Sequence, residues 1–470
     1  MYKAYITTLT NVRKHPNADR LLLVDVFGNT VCVSTDYTEG QLVVYFPTDG
    51  QLSAEFADKN NLVRKKDENG NNIGGYMDPD KRNVTAIRLR GEKSDGLVLP
   101  ISCLDYCYPK DDDSAAAHFK VGDNIDGLVN GHEICCKYIP RSDTRCVTVT
   151  NGNRTRKKKV PTAPLFKEHA DTEQLAYNLS AFKAGDEIEI TLKMHGTSQR
   201  TGYLPVLQRY KKTFWEWLTR KEGTPIYDYG YVSGTRRVVL ENYEGGFYGN
   251  NEFREQHSKA FEGKLWKGET VYYEVVGFTT SGAPIMASAS NSKLNDKEFI
   301  KQYGKETVFS YGCSPISNAT VLDTKDGNFA EYVPVGPQSD IYVYRMTMTN
   351  PDGEVVEYTP DFMRYRCEQM AVKTVPVLWK GIIPENPGSY DDPTISAGEW
   401  IKNVAERFYD GPDPVGKTHV REGVVVRIIN RPKFAAYKLK NFSFKCLEGL
   451  VKVEATAPDM EEAQELPDDT

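Results

Sequence analysis

The stretch Lys193-Met194-His195-Gly196-Thr197-Ser198 directly follows the run Asp186-Glu187-Ile188-Glu189-Ile190-Thr191-Leu192, in which polar and apolar residues alternate. Alternation of this kind is typical of a strand with one buried face, so the sequence predicts a strand that ends at the lysine. A strand-end lysine followed by a glycine suits an amine that attacks a phosphate, because glycine lets the backbone approach a nucleotide closely. Alone the pattern is weak, since a strand-end lysine before a turn is common.

Four later segments also have strand patterns, and each has a side chain suited to nucleotide chemistry. Glu274 lies inside an apolar run, where a carboxylate is costly unless it is paired or hydrogen-bonded. Glu422-Gly423 opens another apolar run, and strand alternation places Lys438 and Lys440 on one face. The segments are Val271–Gly277, Ile341–Met346, Arg421–Arg427 and Phe434–Lys440.

In this order and spacing the set resembles the nucleotidyltransferase motifs of ATP-dependent polynucleotide ligases, and it is most similar to RNA ligases. The resemblance covers roughly residues 181–450. Lys193–Ser198 resembles motif I, Tyr272–Gly277 motif III, Tyr342–Met346 motif IIIa, Glu422–Arg427 motif IV and Tyr437–Lys440 motif V.

The resemblance implies a role for each candidate residue. Lys193 attacks the α-phosphate of ATP and becomes lysyl-AMP, while Lys438 and Lys440 face the phosphates together with Mg²⁺ or Mn²⁺. Glu422 serves the metal through waters, and Glu274 binds the ribose hydroxyls or takes a metal role in a later step.

The remaining candidates surround the nucleotide. Tyr344 stacks on the adenine. His195 and Gly196 belong to the ATP-binding turn, and Arg236 or Arg237 fits motif Ia as a contact to the ribose or the 5′-phosphate. The sequence does not decide between the two arginines. DNA ligases carry Asp where His195 stands, so its role stays open among a metal-water contact, a ribose contact and neither.

Each of these residues also has a purely structural interpretation. Tyr344 could be a core aromatic, Glu274 could pair with an arginine, Lys440 could lie on the surface, and Arg345 could be a structural ion-pair partner. Their joint occurrence in order favours the functional interpretation.

Residues 1–137 predict a separate block of short strands that suits an OB-like β-barrel. His15–Leu21 and Arg90–Leu99 are similar to two segments of OB-fold tRNA-binding domains. The functional interpretation is a barrel face that holds an RNA backbone.

The sequence therefore predicts an α+β protein: an N-terminal OB-like barrel, then an ATP-grasp-like nucleotidyltransferase domain of antiparallel sheets with flanking helices. Residues 138–170 form a basic linker that includes Arg154–Lys159, residues 171–452 form the adenylyltransferase domain, and residues 453–470 form a disordered acidic tail. This domain order resembles Naegleria-type RNA ligases. Within the catalytic domain, Pro376–Trp379 predicts a buried strand start, ahead of a helix over Ile401–Phe408.

Composition limits the alternatives. Of 470 residues, 26% are charged and 39% hydrophobic, and the net charge is −6, so a nucleic-acid surface must be local. The lack of an apolar leader or a long apolar run predicts a reduced cytoplasmic protein without a membrane span, and a phage protein acting in its host's cytoplasm would fit equally.

Cys103, Cys107, Cys135 and Cys136 lack paired Cys-x-x-Cys arms, which favours buried thiols over a zinc site.

The leading hypothesis is a monomeric ATP-dependent RNA ligase that seals 5′-phosphate and 3′-hydroxyl ends, in nicked or duplex RNA, during RNA repair. AMP would pass from Lys193 to the 5′-phosphate, and the 3′-hydroxyl would then expel it. The alternatives are a capping guanylyltransferase or a DNA ligase, and a non-catalytic RNA-binding protein.

Overall fold

The computed structural model describes residues 2–66, 68–70, 72–109, 114–139, 161–169, 172–212, 223–240, 243, 248, 251–315, 336–388 and 394–454. These residues form two compact units. The first unit contains the described residues of 1–141, 289–307 and 441–456, and the second contains those of 142–288 and 308–440. The basic run Arg154–Lys159 and residues 455–470 of the acidic tail lie outside the described residues.

The N-terminal segment consists of short strands, two short α-helices and a 3₁₀ helix over Ile101–Cys107. The strands are β1 (Ala4–Thr8), β2 (Thr10–Lys14), β3 (Leu21–Val26), β4 (Asn29–Ser34), β5 (Leu42–Phe46), β6 (Gly50–Leu52), β7 (Lys65–Lys66), β8 (Asn72–Gly74), β9 (Ala86–Leu89), β10 (Glu92–Asp95), β11 (Leu97–Pro100), β12 (Asn124–Ile125), β13 (Leu128–Val129), β14 (His132–Glu133) and β15 (Cys135–Lys137). The helices are α1 (Ala54–Lys59) and α2 (Ala115–His118).

The next described stretch contains β16 (Glu173–Gln174), β17 (Glu187–Lys193), β18 (Thr197–Lys211), β19 (Thr224–Gly234), α3 (Glu252–Lys259), β20 (Glu269–Gly277), β21 (Ala289–Ser290), α4 (Lys297–Tyr303) and β22 (Glu306–Thr307). The last stretch contains β23 (Ser339–Thr349), β24 (Val355–Glu357), α5 (Pro360–Met370), β25 (Lys373–Thr374), β26 (Val377–Ile382), α6 (Ala397–Glu406), β27 (Gly423–Ile428), β28 (Ala435–Lys440) and α7 (Phe442–Glu454).

The first unit has its core around the sheet β11-β5-β1-β12. The central strand β5 does not alternate, because Val43, Val44, Tyr45 and Phe46 are all fully buried. A continuous apolar run of this length is the pattern of a strand covered on both faces. Beside it lies the three-stranded sheet β2-β3-β4. The OB-like barrel stays a prediction for this unit.

Two later segments of the chain complete the first unit. Arg88 and Lys93 from β9 and β10 lie over the ring of Phe442, 5.7 and 5.4 Å from its centroid. Lys445 Nζ is 2.6 Å from Asp95 Oδ2, and Arg88 Nη2 is 2.8 Å from Asp296 Oδ2. The unit is therefore discontinuous in sequence, and the division into a domain of residues 1–137 and a catalytic domain of residues 171–452 stays a prediction.

The second unit contains two sheets, of order β16-β28-β27-β17-β26 and β19-β18-β20-β23-β24, with β25 beside β23. All strand pairs within them are antiparallel except β16 with β28 and β23 with β25. Ile188, Ile190 and Leu192 are buried against the core of the first of these sheets, so alternation turns Lys193 toward the opposite face. The α+β architecture with antiparallel sheets is as the sequence predicts.

Two local predictions in this unit need correction. The strand predicted to begin buried at Pro376–Trp379 is β26, and its Val377 is 39% exposed because β26 lies at the end of its sheet. The helix predicted over Ile401–Phe408 is α6, which begins at Ala397. Its start is fixed by a capping box, in which Ser396 and Glu399 bond each other's backbone amides.

The cysteine prediction holds for three of the four residues. Cys103, Cys107 and Cys135 are buried, and burial raises the pKa of the Cys135 thiol to about 12. Cys136 is exposed, which contradicts the prediction of a buried thiol, because its neighbour in β15 takes the inward side of the strand. In the described part of the chain, no group of three or more His, Cys, Asp or Glu residues is arranged to hold a metal.

None of the helices among the described residues is both long enough and apolar enough to cross a membrane.

Candidate active site

Three neighbouring strands bring the strand-end residues together. The register pairs Lys193 of β17 with Gly423 of β27, and Gly423 with Lys440 of β28. Glu422 immediately precedes β27, so its carboxylate lies between the two amines. Lys193 Nζ is 2.7 Å and Lys440 Nζ is 3.5 Å from Glu422 Oε1, and the Glu422 side chain is only 3% exposed.

Lys438 belongs to the same surface. It pairs with Val425 of β27, two residues before Lys440, and alternation places both lysines on one face of the sheet. Lys440 is mostly buried beside Glu422, so the interpretation of it as a surface lysine is wrong. The predicted phosphate contacts of both lysines stay predictions.

Two glycines permit close backbone approach at this edge. Gly423 has φ +149°, and a Cβ atom there would lie 2.1 Å from the Leu439 carbonyl oxygen. A Cβ on Gly196 would lie 2.3 Å from the Val275 carbonyl oxygen. Gly196 therefore has a structural requirement of its own, the packing of the turn against β20, and its contact with ATP stays a prediction.

His195 lies against the same carboxylate. Its Nδ1 atom is 3.8 Å from Glu422 Oε2, and its ring meets the Phe309 ring edge-on at 4.6 Å. Its backbone N–H donates to the Tyr311 hydroxyl at 2.7 Å. The imidazole is thus held beside a carboxylate that the sequence assigns to the metal, and its chemical role stays open.

The other sheet carries the predicted nucleoside contacts. Its register aligns Ser198, Glu274 and Tyr342 across β18, β20 and β23, which puts their side chains on one face. Tyr344 is half-buried, and its hydroxyl is 3.1 Å from Ser198 Oγ. Adenine stacking on Tyr344 and ribose binding by Glu274 stay predictions.

The structure gives Arg345 a structural role and leaves the roles of Arg236 and Arg237 as predictions. Arg345 is a structural ion-pair partner, because its buried guanidinium bonds both carboxylate oxygens of Glu357, at 3.1 and 3.0 Å from Nε. Arg236 and Arg237 follow β19 directly, and the choice between them stays a prediction.

Two residues near the site were not found from the sequence, Tyr311 and Arg254. Burial raises the pKa of Tyr311 well above its usual value, and the negative charges of Asp413, Glu422 and Glu274 add to that effect. The phenol therefore stays protonated. Neither residue lies in a local pattern of catalytic type, and each reaches the site only through the tertiary fold.

The donor set fits a divalent metal that arrives with a phosphate ligand. Mg²⁺ usually binds through one or two carboxylates, waters and substrate phosphates rather than in a cage made by the protein alone. Glu422 offers one buried carboxylate, and Glu274 offers a second on the neighbouring sheet.

The chain shares its α+β fold with solved structures of an RNA ligase. A structure of Naegleria gruberi RNA ligase with pyrophosphate is 16% identical, with a TM-score of 0.52 and coverage of 94% of this chain and 97% of that chain. A variant of that ligase with AMP and Mn is 15% identical, with a TM-score of 0.50 and coverage of 94% and 97%. Another variant, with ATP and Mn, is 16% identical, with a TM-score of 0.50 and coverage of 96% and 99%. At such identities the likeness establishes the fold.

No protein-family model matches the sequence, and no curated protein matches it either.

Proposed function

We propose that the protein is an ATP-dependent RNA ligase that joins 5′-phosphate and 3′-hydroxyl RNA ends through lysyl-AMP and RNA-adenylate. The observation that carries the proposal is the alignment of Lys193, Glu422 and Lys440 on three adjacent strands, in a fold shared with an RNA ligase.

In the first step the Lys193 amine attacks the α-phosphate, forming an N–P bond as the bond to pyrophosphate breaks. Only the neutral amine can attack, and Glu422 is a carboxylate within hydrogen-bond distance of it. Lys440 and Lys438 neutralise negative charge on the phosphates. This lowers the barrier to attack by the lone pair of the Lys193 amine. Glu422, with Glu274 as a second candidate, would hold Mg²⁺ or Mn²⁺, which supplies further charge neutralisation when bound.

The remaining residues place the nucleoside. Tyr344 stacks on the base, Glu274 accepts from the ribose hydroxyls, and Arg236 or Arg237 contacts the ribose or the 5′-phosphate. His195 and Gly196 form the turn beside the phosphates. An oxygen of the RNA 5′-phosphate then attacks the AMP phosphorus, and the bond from that phosphorus to Lys193 breaks and frees the amine. The RNA 3′-hydroxyl finally attacks the activated 5′-phosphate, forms the phosphodiester and releases AMP.

The first unit contributes an RNA-binding surface in this proposal, as the OB-like motifs suggest. The substrate is nicked or duplex RNA, the protein acts as a monomer inside the cell, and its role is RNA repair.

Labelling with nucleotide tests the proposal. Wild-type protein is incubated with α-labelled ATP or GTP and Mn²⁺ or Mg²⁺, beside Lys193→Ala and the control Lys183→Ala, which changes an exposed lysine. We expect acid-labile AMP on wild type and on Lys183→Ala, and none on Lys193→Ala. Uptake of GMP instead would favour a guanylyltransferase, and no uptake of either nucleotide would refute nucleotidyl transfer.

A joining assay then tests the substrate. We expect sealing of a nick in duplex RNA with a 5′-phosphate, and no sealing when the 5′-end carries a hydroxyl. Preferential sealing of nicked DNA would refute the assignment to RNA.

A further inference from the structure

The turn that follows Lys193 is held by two residues that are distant in sequence, Tyr311 and Arg254. We propose that both are positioning residues, which fix this turn and thereby orient the Lys193 amine toward the α-phosphate of ATP. This inference rests on the proposed function. Neither residue is placed to touch the reacting atoms, and each acts through hydrogen bonds to residues 195–198.

Tyr311 holds the start of the turn. Its hydroxyl accepts the backbone N–H of His195 at 2.7 Å, two residues after Lys193. The ring is almost fully buried, and the residue has φ +49°, a left-handed conformation that is unusual for an aromatic side chain. Such conformations persist only where the surrounding structure enforces them, and they are concentrated at functional sites.

A compact loop, residues 413–419, packs against Tyr311. The buried His419 ring meets the Tyr311 ring edge-on at 4.6 Å. Asp413 Oδ1 accepts the N–H groups of Val415 and Gly416, both at 2.8 Å, and the Asp413 N–H donates to the His419 carbonyl at 2.9 Å. This loop leads within three residues to Glu422, so one support fixes both the turn and the site carboxylate.

Arg254 holds the other end of the turn. Its Nη1 donates to the Ser198 carbonyl at 3.0 Å, and its Nη2 donates to the Thr197 hydroxyl. The guanidinium is fully buried, and among the described residues no salt bridge joins it to a carboxylate. Burying a charge without an ionic partner is costly, so the guanidinium depends on its hydrogen bonds to the turn and on the nearby rings of Tyr248 and Phe253.

Arg254 is itself fixed, and its effect extends to the predicted base contact. The Gln199 side-chain amide donates to the Arg254 carbonyl at 2.8 Å, which ties α3 to β18. Ser198, whose carbonyl Arg254 binds, also meets the Tyr344 hydroxyl through its own Oγ. Both ends of the turn are therefore anchored, one beside Glu422 and one beside Tyr344.

The test measures the rate constant of Lys193 adenylylation and the KM for ATP in Tyr311→Phe and Arg254→Met. If the Lys193 amine is no longer held in position, the rate constant at saturating ATP falls, since misplacing a reacting group by about 1 Å can lower the rate about 100-fold. We expect the rate constant to fall by about 10–100-fold, and the KM for ATP to change by less than about threefold. Arg254→Lys retains the charge and one donor, and we expect it to restore part of the rate.

Tyr45→Phe is the matched control, because Tyr45 is a buried tyrosine of the first unit whose hydroxyl donates to the Asp95 carbonyl. It should adenylylate at the wild-type rate, and thermal unfolding should show all variants folded. Wild-type rate constants in Tyr311→Phe and Arg254→Met would overturn the positioning roles and leave the ligase proposal intact. Wild-type protein that takes up no label would overturn both.

Discussion

Glu422 brings one carboxylate within 2.7 Å of the Lys193 amine and 3.5 Å of the Lys440 amine. One buried carboxylate oxygen therefore contacts both amines. In the proposed function, the phosphates of ATP give the amines new acceptors and leave the carboxylate to a cation. Under that proposal, the same three residues form an ion-paired cluster without ATP and a phosphate site with it.

Replacing Glu422 with Gln tests both its ion pairing with the two lysines and its proposed binding of the metal. We expect Glu422→Gln to lower Lys193 adenylylation by about 100-fold, because a charged group at the reacting centre is lost. The free energy of unfolding should also fall, by roughly 1–3 kcal/mol, since the two neighbouring amines lose a buried counter-charge. Label uptake is measured over a range of Mn²⁺ concentrations, with the exposed Glu306→Gln as control. Uptake like that of wild type at low Mn²⁺ would contradict a metal role.

At the scale of elements, the turn between β17 and β18 depends on the absence of a side chain at Gly196. A Cβ atom there would lie 2.3 Å from the Val275 carbonyl oxygen, so Gly196→Ala must displace the turn or β20. We expect adenylylation to fall by about 100-fold. Gly230→Ala is the control, because a Cβ in that strand position has its nearest neighbour at 3.6 Å. Equal activity of the two variants would show that the turn tolerates movement.

The packing of α3 on β23 should make stability depend on pH. His257 Nε2 lies 2.8 Å from Ser339 Oγ, and burial lowers the pKa of His257 to about 4, opposed by the charge of Asp340. The unfolded chain, with an ordinary histidine pKa of about 6.5, binds more protons than the folded one between these values. The unfolding free energy therefore falls as pH drops from about 6.5 to 4.

Comparison with His257→Gln isolates this contribution. Between pH 7 and pH 5, wild type should lose roughly 2 kcal/mol more unfolding free energy than the variant. Chemical denaturation at both pH values measures the difference. Parallel losses in the two proteins would show that His257 titrates alike in the folded and unfolded states.

The strands of the candidate site were predictable because each carries its own pattern. Alternation in Glu187–Lys193 located both the core face and the lysine on the opposite face, and the same rule aligned Lys438 with Lys440. The capping box at Ser396 and Glu399 is also a local signal, and it could have placed the start of α6. The edge position of β26 could not be inferred, because strand order depends on contacts that no local pattern contains.

Tyr311 and Arg254 illustrate the same limit for the site. Arg254 lies in a short polar helix, and nothing nearby in the sequence indicates that its guanidinium is buried. Tyr311 is separated from His195 by 116 residues, so only the tertiary structure shows their hydrogen bond.

At the scale of the whole molecule, the discontinuous first unit changes how a truncation must be designed. The helix α7 buries Phe444 and Leu447 within that unit, where it packs on β9, β21 and the turn Asn291–Leu294. Deleting residues 1–137 removes part of this packing and exposes apolar side chains.

We therefore expect the 1–137 deletion to bind a hydrophobic dye and to aggregate, for a reason unrelated to RNA. Adding Leu447→Ser to the deletion should reduce dye binding, whereas the same substitution in the full chain should lower its thermal stability. A deletion variant that stays monomeric without binding dye would show that α7 needs no N-terminal partner.

The same arrangement constrains how the protein can fold as it is made. The last strand of the N-terminal segment, β15, leaves the ribosome early, yet α7 follows it by about three hundred residues, or roughly 15–60 s of translation. During that interval the surface that receives Phe444 and Leu447 is open to water or to other chains. The N-terminal unit would then be the last part of the molecule to reach its final packing, although its synthesis begins first.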